Sequence, residues 1–471
     1  MSEILKQNKS GWEGIEEELK SKIFEFSKQY IEFLNKSKTE REIVTNAENL
    51  AIASGFKHLD EYTELHAGDK VYYKNRDKNL YLAVIGSQDI EAGINIIGAH
   101  GDSPRLDLKP NPLYQTGNFS YFNTHYYGGI KKYQWTAIPL AIHGVIVKEN
   151  GEKITVSIGE NEDEPVFVIT DLLPHLAKAQ NQKKLGEAIE GEKLDVVVGN
   201  IPIKEDKSEE DEKAKADKKA GKVKQNIMRI LNQKYGITEE DFFSSELEVV
   251  PAFKARTLGF DESLVAGYGQ DDKVCVYTSL RAILNVEKPQ RTAVCLFSDK
   301  EEIGSMGNTG MESHVFDTFI SEILNKLRVN RPNLLDKVFC NSKMLSADVD
   351  AGVDPLYTDV QDLENAGFMG HGVALNKYTG SGGKYNASDA NAEYVAQIRK
   401  IFNDNNIKYQ LAELGKVDVG GGGTIAYILA NKGIDVIDCG IPILSMHSPY
   451  EVASKFDIYQ AFLAYTAFFN N

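Results

Sequence analysis

The sequence predicts a layered α/β domain interrupted by a β-rich insertion. An amphipathic helical pattern opens the chain and strand-like runs follow it; strand-like and helical patterns alternate again from about Val274. Between them, from about Leu108 to Pro251, the apolar runs are short, β-branched and separated by turn signals. The implied organisation is 1–107 and 252–471 as two parts of one domain, with 108–251 inserted. At 471 residues the chain is long for a single core, which agrees with more than one folding unit.

Taken in order, Trp12, Ile15, Leu19, Ile23, Phe26, Tyr30 and Phe33 recur at helical spacing with charges between them, so residues 10–38 are expected to form a helix closing on a core. Residues 80–85 and 94–100 are strand-like. In the insertion, residues 141–147, 154–158, 165–169 and 195–198 read as short strands. Residues 204–224 are nearly all Lys, Glu, Asp and Ala, and read as an exposed mobile loop or a frayed helix. Residues 274–283 carry a helical pattern, 293–297 a buried strand, and a further short strand ends at Asp348.

Composition narrows the function classes. A 42% hydrophobic fraction with 26% charged residues describes a globular chain. The net charge of −16 opposes a nucleic-acid backbone or an anionic membrane as partner. Cys275, Cys295, Cys340 and Cys439 stand far apart, without a Cys-x-x-Cys pair, and read as buried thiols in a reducing compartment. The first residues lack the apolar core of a signal peptide. The longest uncharged apolar stretch, 133–147, is short and broken by Gln134 and His143, so a cytoplasmic protein without a membrane span is expected.

Chemistry concentrates at the ends of apolar runs. Glu301 and Glu302 follow the strand-like residues 293–297, where adjacent acids can divide the labour at a metal, one binding the ion and the other taking a proton from the water it activates. Solvated loop acids are the alternative. Residues 96–102 end in His100-Gly-Asp102, with Asp102 placed to orient a metal-bound imidazole. Asp271 and Asp272 precede a helical pattern, where the macrodipole alone would also favour them. Asp348 and His447 each close a short apolar run, and each could equally be a turn residue. Ligands gather beyond the carboxyl ends of strands in open α/β sheets, so these positions converge in space. Two histidines and several carboxylates without thiolate suit Zn²⁺, Mn²⁺ or Co²⁺, and the ligand count suits two ions sharing a carboxylate.

These segments, in order, are Ala99-His-Gly-Asp-Ser-Pro-Arg105, Gln270-Asp-Asp272, Ser298-Asp-Lys-Glu-Glu-Ile-Gly-Ser305, Ser346-Ala-Asp348 and Met446-His-Ser-Pro449. As an ordered set they resemble the metal-site motifs of the aspartyl aminopeptidase and aminopeptidase I family of dinuclear zinc metallopeptidases. The resemblance spans nearly the whole chain. It implies a three-layer α/β sandwich, zinc exopeptidase-like catalytic domain with an inserted β-rich dimerisation domain. It implies a metallo-aminopeptidase releasing N-terminal residues from peptides, with two divalent ions per subunit, zinc first and Mn or Co as alternatives. Asp271 would bridge them, His100 and Asp348 completing one site and Glu302 and His447 the other. Glu301 would be the general base and Asp102 would hold His100.

The resemblance further implies that Thr170-Asp-Leu-Leu-Pro-His-Leu176 reaches a neighbouring subunit, where His175 would stabilise the oxyanion, and that the chain forms homodimers and a tetrahedral dodecamer. Lys377, with Lys384 as the alternative, is the expected counter-charge for an acidic substrate side chain. Asp418 and the Gly420–Gly423 run, Gly422 included, take the place of a substrate-binding loop. The aspartyl-specific branch has a histidine three residues after the Asp of Ser-Ala-Asp. Here that position is Ala351, leaving acidic or neutral first residues open. A related co-catalytic hydrolase of N-acyl amino acids is the runner-up. A nucleotide-binding reading fails on its spacing, since Ser381-Gly-Gly-Lys384-Tyr385 lacks a P-loop's length and hydroxyl.

Overall fold

Residue alternation in one strand sets the layering. The computed structural model describes residues 9–204 and 221–471. In it the strand Ala293–Ser298 is buried at every position. Successive side chains of a strand point to opposite faces. Ala293, Cys295 and Phe297 accordingly join one apolar cluster, with Phe26, Tyr277 and Tyr465, and Val294 and Leu296 join another, with Phe316, Phe319 and Phe339. A strand apolar on both faces needs cover on both. Helices Glu17–Lys36, Gln270–Leu284 and Lys455–Phe469 supply it on one side, and Val315–Lys326, Leu334–Cys340 and Ala426–Ala430 on the other. The result is a three-layer α/β sandwich.

The chain divides into two units. The first contains the residues up to Ser103, Ala255–Met446 and Tyr450–Asn471; the second contains Pro104–Lys254 and His447–Pro449. The sheet at the centre of the first unit has nine strands. Its middle four, Ala293–Ser298, Asn95–His100, Lys343–Ser346 and Asp435–Gly440, lie side by side and parallel, so their carboxyl ends share one edge. A second, five-stranded sheet in this unit includes Leu264–Gly267, which runs directly into Gln270–Asp272, and Asp350–Ala351.

The opening helix is shorter than its apolar periodicity predicts. It starts at Glu17, because residues 11–14 turn and Gly14 has a φ of 72°. Trp12 still serves the core from outside the helix, its ring 5.5 Å from that of Phe456. Thr39 and Glu42 form a capping box that starts the next helix, Glu40–Ala53.

The second unit carries a six-stranded antiparallel sheet. Its two longest strands, Arg105–Thr116 and Phe119–Tyr127, left little apolar signal in the sequence. The first contains Pro110 and Pro112 and shifts register between Leu108 and Leu113; the buried face of the second carries Ser120, Phe122 and Thr124. Residues 165–169 do not form the strand their composition suggests. They make two isolated bridges, Leu140 with Phe167 and Val168 with Val197. The expectation for 204–224 falls largely outside the described residues; at its end, Lys222 opens a helix that runs to Tyr235. Cys340 is exposed, correcting the expectation of four buried thiols: it ends a short helix whose apolar side is already filled by Leu334, Val338 and Phe339.

Candidate metal centre

The shared carboxyl edge collects the metal-type side chains of the first unit. His100 is the last residue of its strand, Glu301 and Glu302 follow Ser298 by three and four residues, and Asp348 follows Ser346 by two. Asp271 and Asp272 arrive from the five-stranded sheet, at the head of the helix Gln270–Leu284 but with non-helical backbone. Among the described residues, two groups have ligand atoms within 4.8 Å of one another: His100 with Asp271 and Glu302, and His100 with Asp272 and Asp348.

His100 is held from both sides of its ring. Nδ1 lies 3.0 Å from the backbone carbonyl of Asp102 and 3.4 Å from Asp102 Oδ1. Nε2 faces Asp271 Oδ1 at 3.4 Å and Asp348 Oδ1 at 3.8 Å. An Nδ1–H donated to the carbonyl leaves the Nε2 lone pair for a ligand, the tautomer a metal-bound imidazole needs. Burial alone would lower the proton affinity of this ring; Asp102, Asp271 and Asp348 outweigh it and hold the affinity well above the usual range.

Asp102 joins this imidazole to the glutamate pair. It is fully buried, its Oδ1 accepts the backbone N–H of Glu301 at 3.1 Å and its Oδ2 accepts that of Glu302 at 3.1 Å. The single helical turn 301–303 is bracketed by Lys300 and Gly304, both at positive φ, so the chain reverses sharply and exposes those two N–H groups to one carboxylate.

The Asp271–Asp272 segment is fixed by its backbone. The Asp271 N–H donates to the Glu451 carboxylate at 3.1 Å, and its carbonyl accepts from Ser103 Oγ at 2.7 Å. Asp272 is fully buried; its carboxylate accepts the backbone N–H of His100 at 3.3 Å, while Oδ1 has no hydrogen-bond partner. Burial first, and the neighbouring Asp348 second, push its carboxyl well above the usual range. Burial likewise pushes Glu301 up to about 8, with Asp348, Asp102 and Asp271 adding to the rise and His100 opposing it.

These residues fit a zinc site. Ligands about 2.0–2.1 Å from a tetrahedral zinc stand roughly 3.3 Å apart, close to the spacings around His100 Nε2. A desolvated cluster of acids around one imidazole, including a buried carboxylate oxygen without a donor, is costly alone and is neutralised by divalent cations.

The other residues singled out in the sequence lie elsewhere. His447 is in neither group; its Nδ1 is 2.9 Å from the carbonyl of Gly129. His175 is exposed in the short turn Pro174–Leu176 of the second unit. Lys377 pairs with Asp389, which also takes Lys384 at 3.0 Å, and the Lys384 ammonium sits 3.6 Å from the centre of the Tyr378 ring. Asp418 is exposed with a φ of 68°, and the Gly422 carbonyl accepts the N–H of Gly380 at 2.6 Å. The sequence reading passed over Asp272 as a cluster member, although its adjacency to Asp271 was visible. It gave no role to Ser103, although this residue lies within the motif segment 99–105, or to Glu451, which lies outside every motif segment; both hold the backbone of Asp271.

Residues 33–469 match the aminopeptidase I zinc metalloprotease (M18) family. A Clostridium acetobutylicum protein described as a probable M18 family aminopeptidase 1 is 47% identical over 474 residues, covering 100% of both chains. The crystal structure of an M18 aminopeptidase from Thermotoga maritima superposes with a TM-score of 0.92 at 45% identity, covering 99% of this chain and 100% of that one. Aminopeptidase I from Clostridium acetobutylicum superposes with a TM-score of 0.89 at 45% identity, with the same coverage.

Asp102→Asn tests the brace. An amide can accept only one of the two N–H groups of Glu301 and Glu302 and turns a donor toward the other, so metal affinity is expected to fall about 10–100-fold. Competition with a chelator measures it, and unchanged affinity would contradict the assigned role.

Proposed function

The chain belongs to the aminopeptidase I zinc metalloprotease (M18) family and is a zinc-dependent aminopeptidase, and from that premise we propose that it removes acidic or neutral N-terminal residues from peptides at a dinuclear site. The observation that carries this reading is the convergence of His100, Asp271, Glu302 and Asp348 in one crevice, with Asp102 linking His100 to Glu301 and Glu302. The aminopeptidase relatives favour an aminopeptidase over an N-acyl amino acid deacylase.

In this proposal Asp271 is the shared ligand, His100 and Asp348 hold one ion, and Glu302 and His447 hold the other. Zinc, when bound, supplies Lewis acidity to the scissile carbonyl and to the attacking water. The protein's own groups do the rest. Glu301, fixed by the same carboxylate that fixes Glu302, takes a proton from the attacking water and returns it to the leaving amine nitrogen. Asp102 and the Asp102 carbonyl keep His100 in one tautomer and orientation.

The first-residue preference is assigned to the Lys377–Asp389–Lys384 cluster and the loop of Asp418 and Gly422. Two lysines share one aspartate, which leaves residual positive charge for an acidic side chain without making it obligatory. The second unit is assigned to dimerisation, and the assembly to homodimers and a tetrahedral dodecamer in the cytoplasm. Leu172, Leu173 and Leu176 are exposed around His175 and form an apolar segment suited to a neighbouring subunit. His175 is assigned the oxyanion of that neighbour's reaction. No helix among the described residues is long and apolar enough to cross a membrane.

Glu301→Gln is expected to lower kcat by at least about 10²-fold while zinc content stays near wild type, whereas Glu302→Gln loses zinc. Elemental analysis beside turnover of aminoacyl amides separates the two, and substantial activity in Glu301→Gln would remove the base assignment. Dissociated protein, isolated by size-exclusion chromatography, is expected to be inactive. Full activity in a monomeric fraction would rule out the role of His175 across subunits.

A further inference from the structure

A polar cavity lies at the opposite edge of the nine-stranded sheet, at the amino ends of the parallel strands. It has a volume of about 240 Å³. Asn95 and Lys343 open adjacent strands and face each other in register, and Arg291 stands two residues before Ala293–Ser298. Gln397, on the helix Ala392–Asp404, Gln88, Gln290 and Asn471 complete its polar wall. No Asp or Glu side chain is among the lining residues, and Asn471, the last residue of the sequence, makes no ion pair with Arg291 or Lys343 among the described residues.

The two cations in this wall are held but not neutralised. Lys343 Nζ donates to Gln397 Oε1 at 2.6 Å and Arg291 Nη1 donates to the Asn341 carbonyl at 2.8 Å; neither side chain makes an ion pair among the described residues. Both bonds go to neutral oxygens. They leave two ammonium N–H groups and the remaining guanidinium donors without a charged acceptor, and Gln397 is turned so that its oxygen is occupied and its amide N–H groups are left to donate. Asp435, paired with Lys343 along the sheet, is the acid that acts on it, and it does not line the cavity. Both cations have their charge disfavoured by burial, and in Lys343 also by Arg291. Half-buried like charges facing one cavity favour an anion between them.

We propose that this cavity binds a small multivalent oxyanion of the phosphate class, held by Arg291 and Lys343 with Gln397 as an amide donor. Arg presents a planar fork that matches two phosphate oxygens, and Lys supplies a point charge. The volume admits inorganic phosphate or the phosphate of a small monoester, and the chemistry of recognition is the same. The site belongs to the edge of the sheet away from His100, so it is separate from the metal centre and does not depend on the function proposed for it.

The test is a thermal-shift titration of the zinc-loaded full chain with inorganic phosphate, at constant ionic strength set with chloride. Wild type is expected to show a saturable rise in Tm. Arg291→Gln and Lys343→Gln are each expected to raise the half-saturating phosphate concentration about tenfold or more, and Lys343→Arg to preserve binding. A parallel titration with glycerol 3-phosphate distinguishes the sources: a lower half-saturating concentration favours an organic phosphate, an equal or higher one the free ion. The absence of a saturable rise in wild type, or an equal rise in both glutamine variants, would overturn the proposal; the latter would place the phosphate elsewhere, as at the metal centre.

Discussion

The register between His100 and the glutamate pair at the candidate metal centre depends on the carboxylate of Asp102. It is buried, it lies against the Nδ1 side of His100, and it accepts the backbone N–H groups of both Glu301 and Glu302. One group thereby fixes the proposed imidazole ligand, the proposed carboxylate ligand and the proposed base relative to one another, although 199 residues separate Asp102 from Glu301. Hydrogen bonds from backbone N–H to a carboxylate are directional, so the glutamate turn cannot drift without breaking them.

The sheet makes that connection possible. Asn95–His100 and Ala293–Ser298 are parallel neighbours with Ser298 opposite His100, so the chain leaving each strand enters the same space. Lys343–Ser346 lies on the other side of Asn95–His100 and carries Asp348 to the same edge. Burial first, and then the neighbouring acids, raise the proton affinities of Asp272 and Glu301. A fold that concentrates carboxylates in a desolvated crevice is arranged for a cation, and the zinc chemistry of the M18 family agrees with the donor set. The opposite edge of the same sheet has the reverse character, with Arg291 and Lys343 facing a cavity lined by amides.

Much of this was legible in the sequence, and the reasons differ by element. Residues 293–297 were readable because a strand covered on both faces is continuously apolar, and His100, Glu301 and Glu302 were readable because they interrupt apolar runs. The motif resemblance converted scattered acids into an ordered set. Asp272 was passed over because adjacency alone does not say which of two acids enters a cluster. Glu451 and Ser103 act through the backbone of Asp271, which leaves no compositional trace. In the second unit, prolines, a register shift and small polar residues on a buried face hid the two longest strands. Lys377 was readable as a cation, but its pairing with Asp389 depends on a loop path that local pattern does not encode.

The central proposal is a dinuclear site in which two ions share Asp271. Diffraction from zinc-loaded crystals at the zinc absorption edge tests it most directly. Two anomalous peaks per chain flanking the Asp271 carboxylate, one beside His100 and Asp348 and the other beside Glu302 and His447, are the predicted result. A single peak, or two peaks with Asp271 bound to only one of them, would contradict the account.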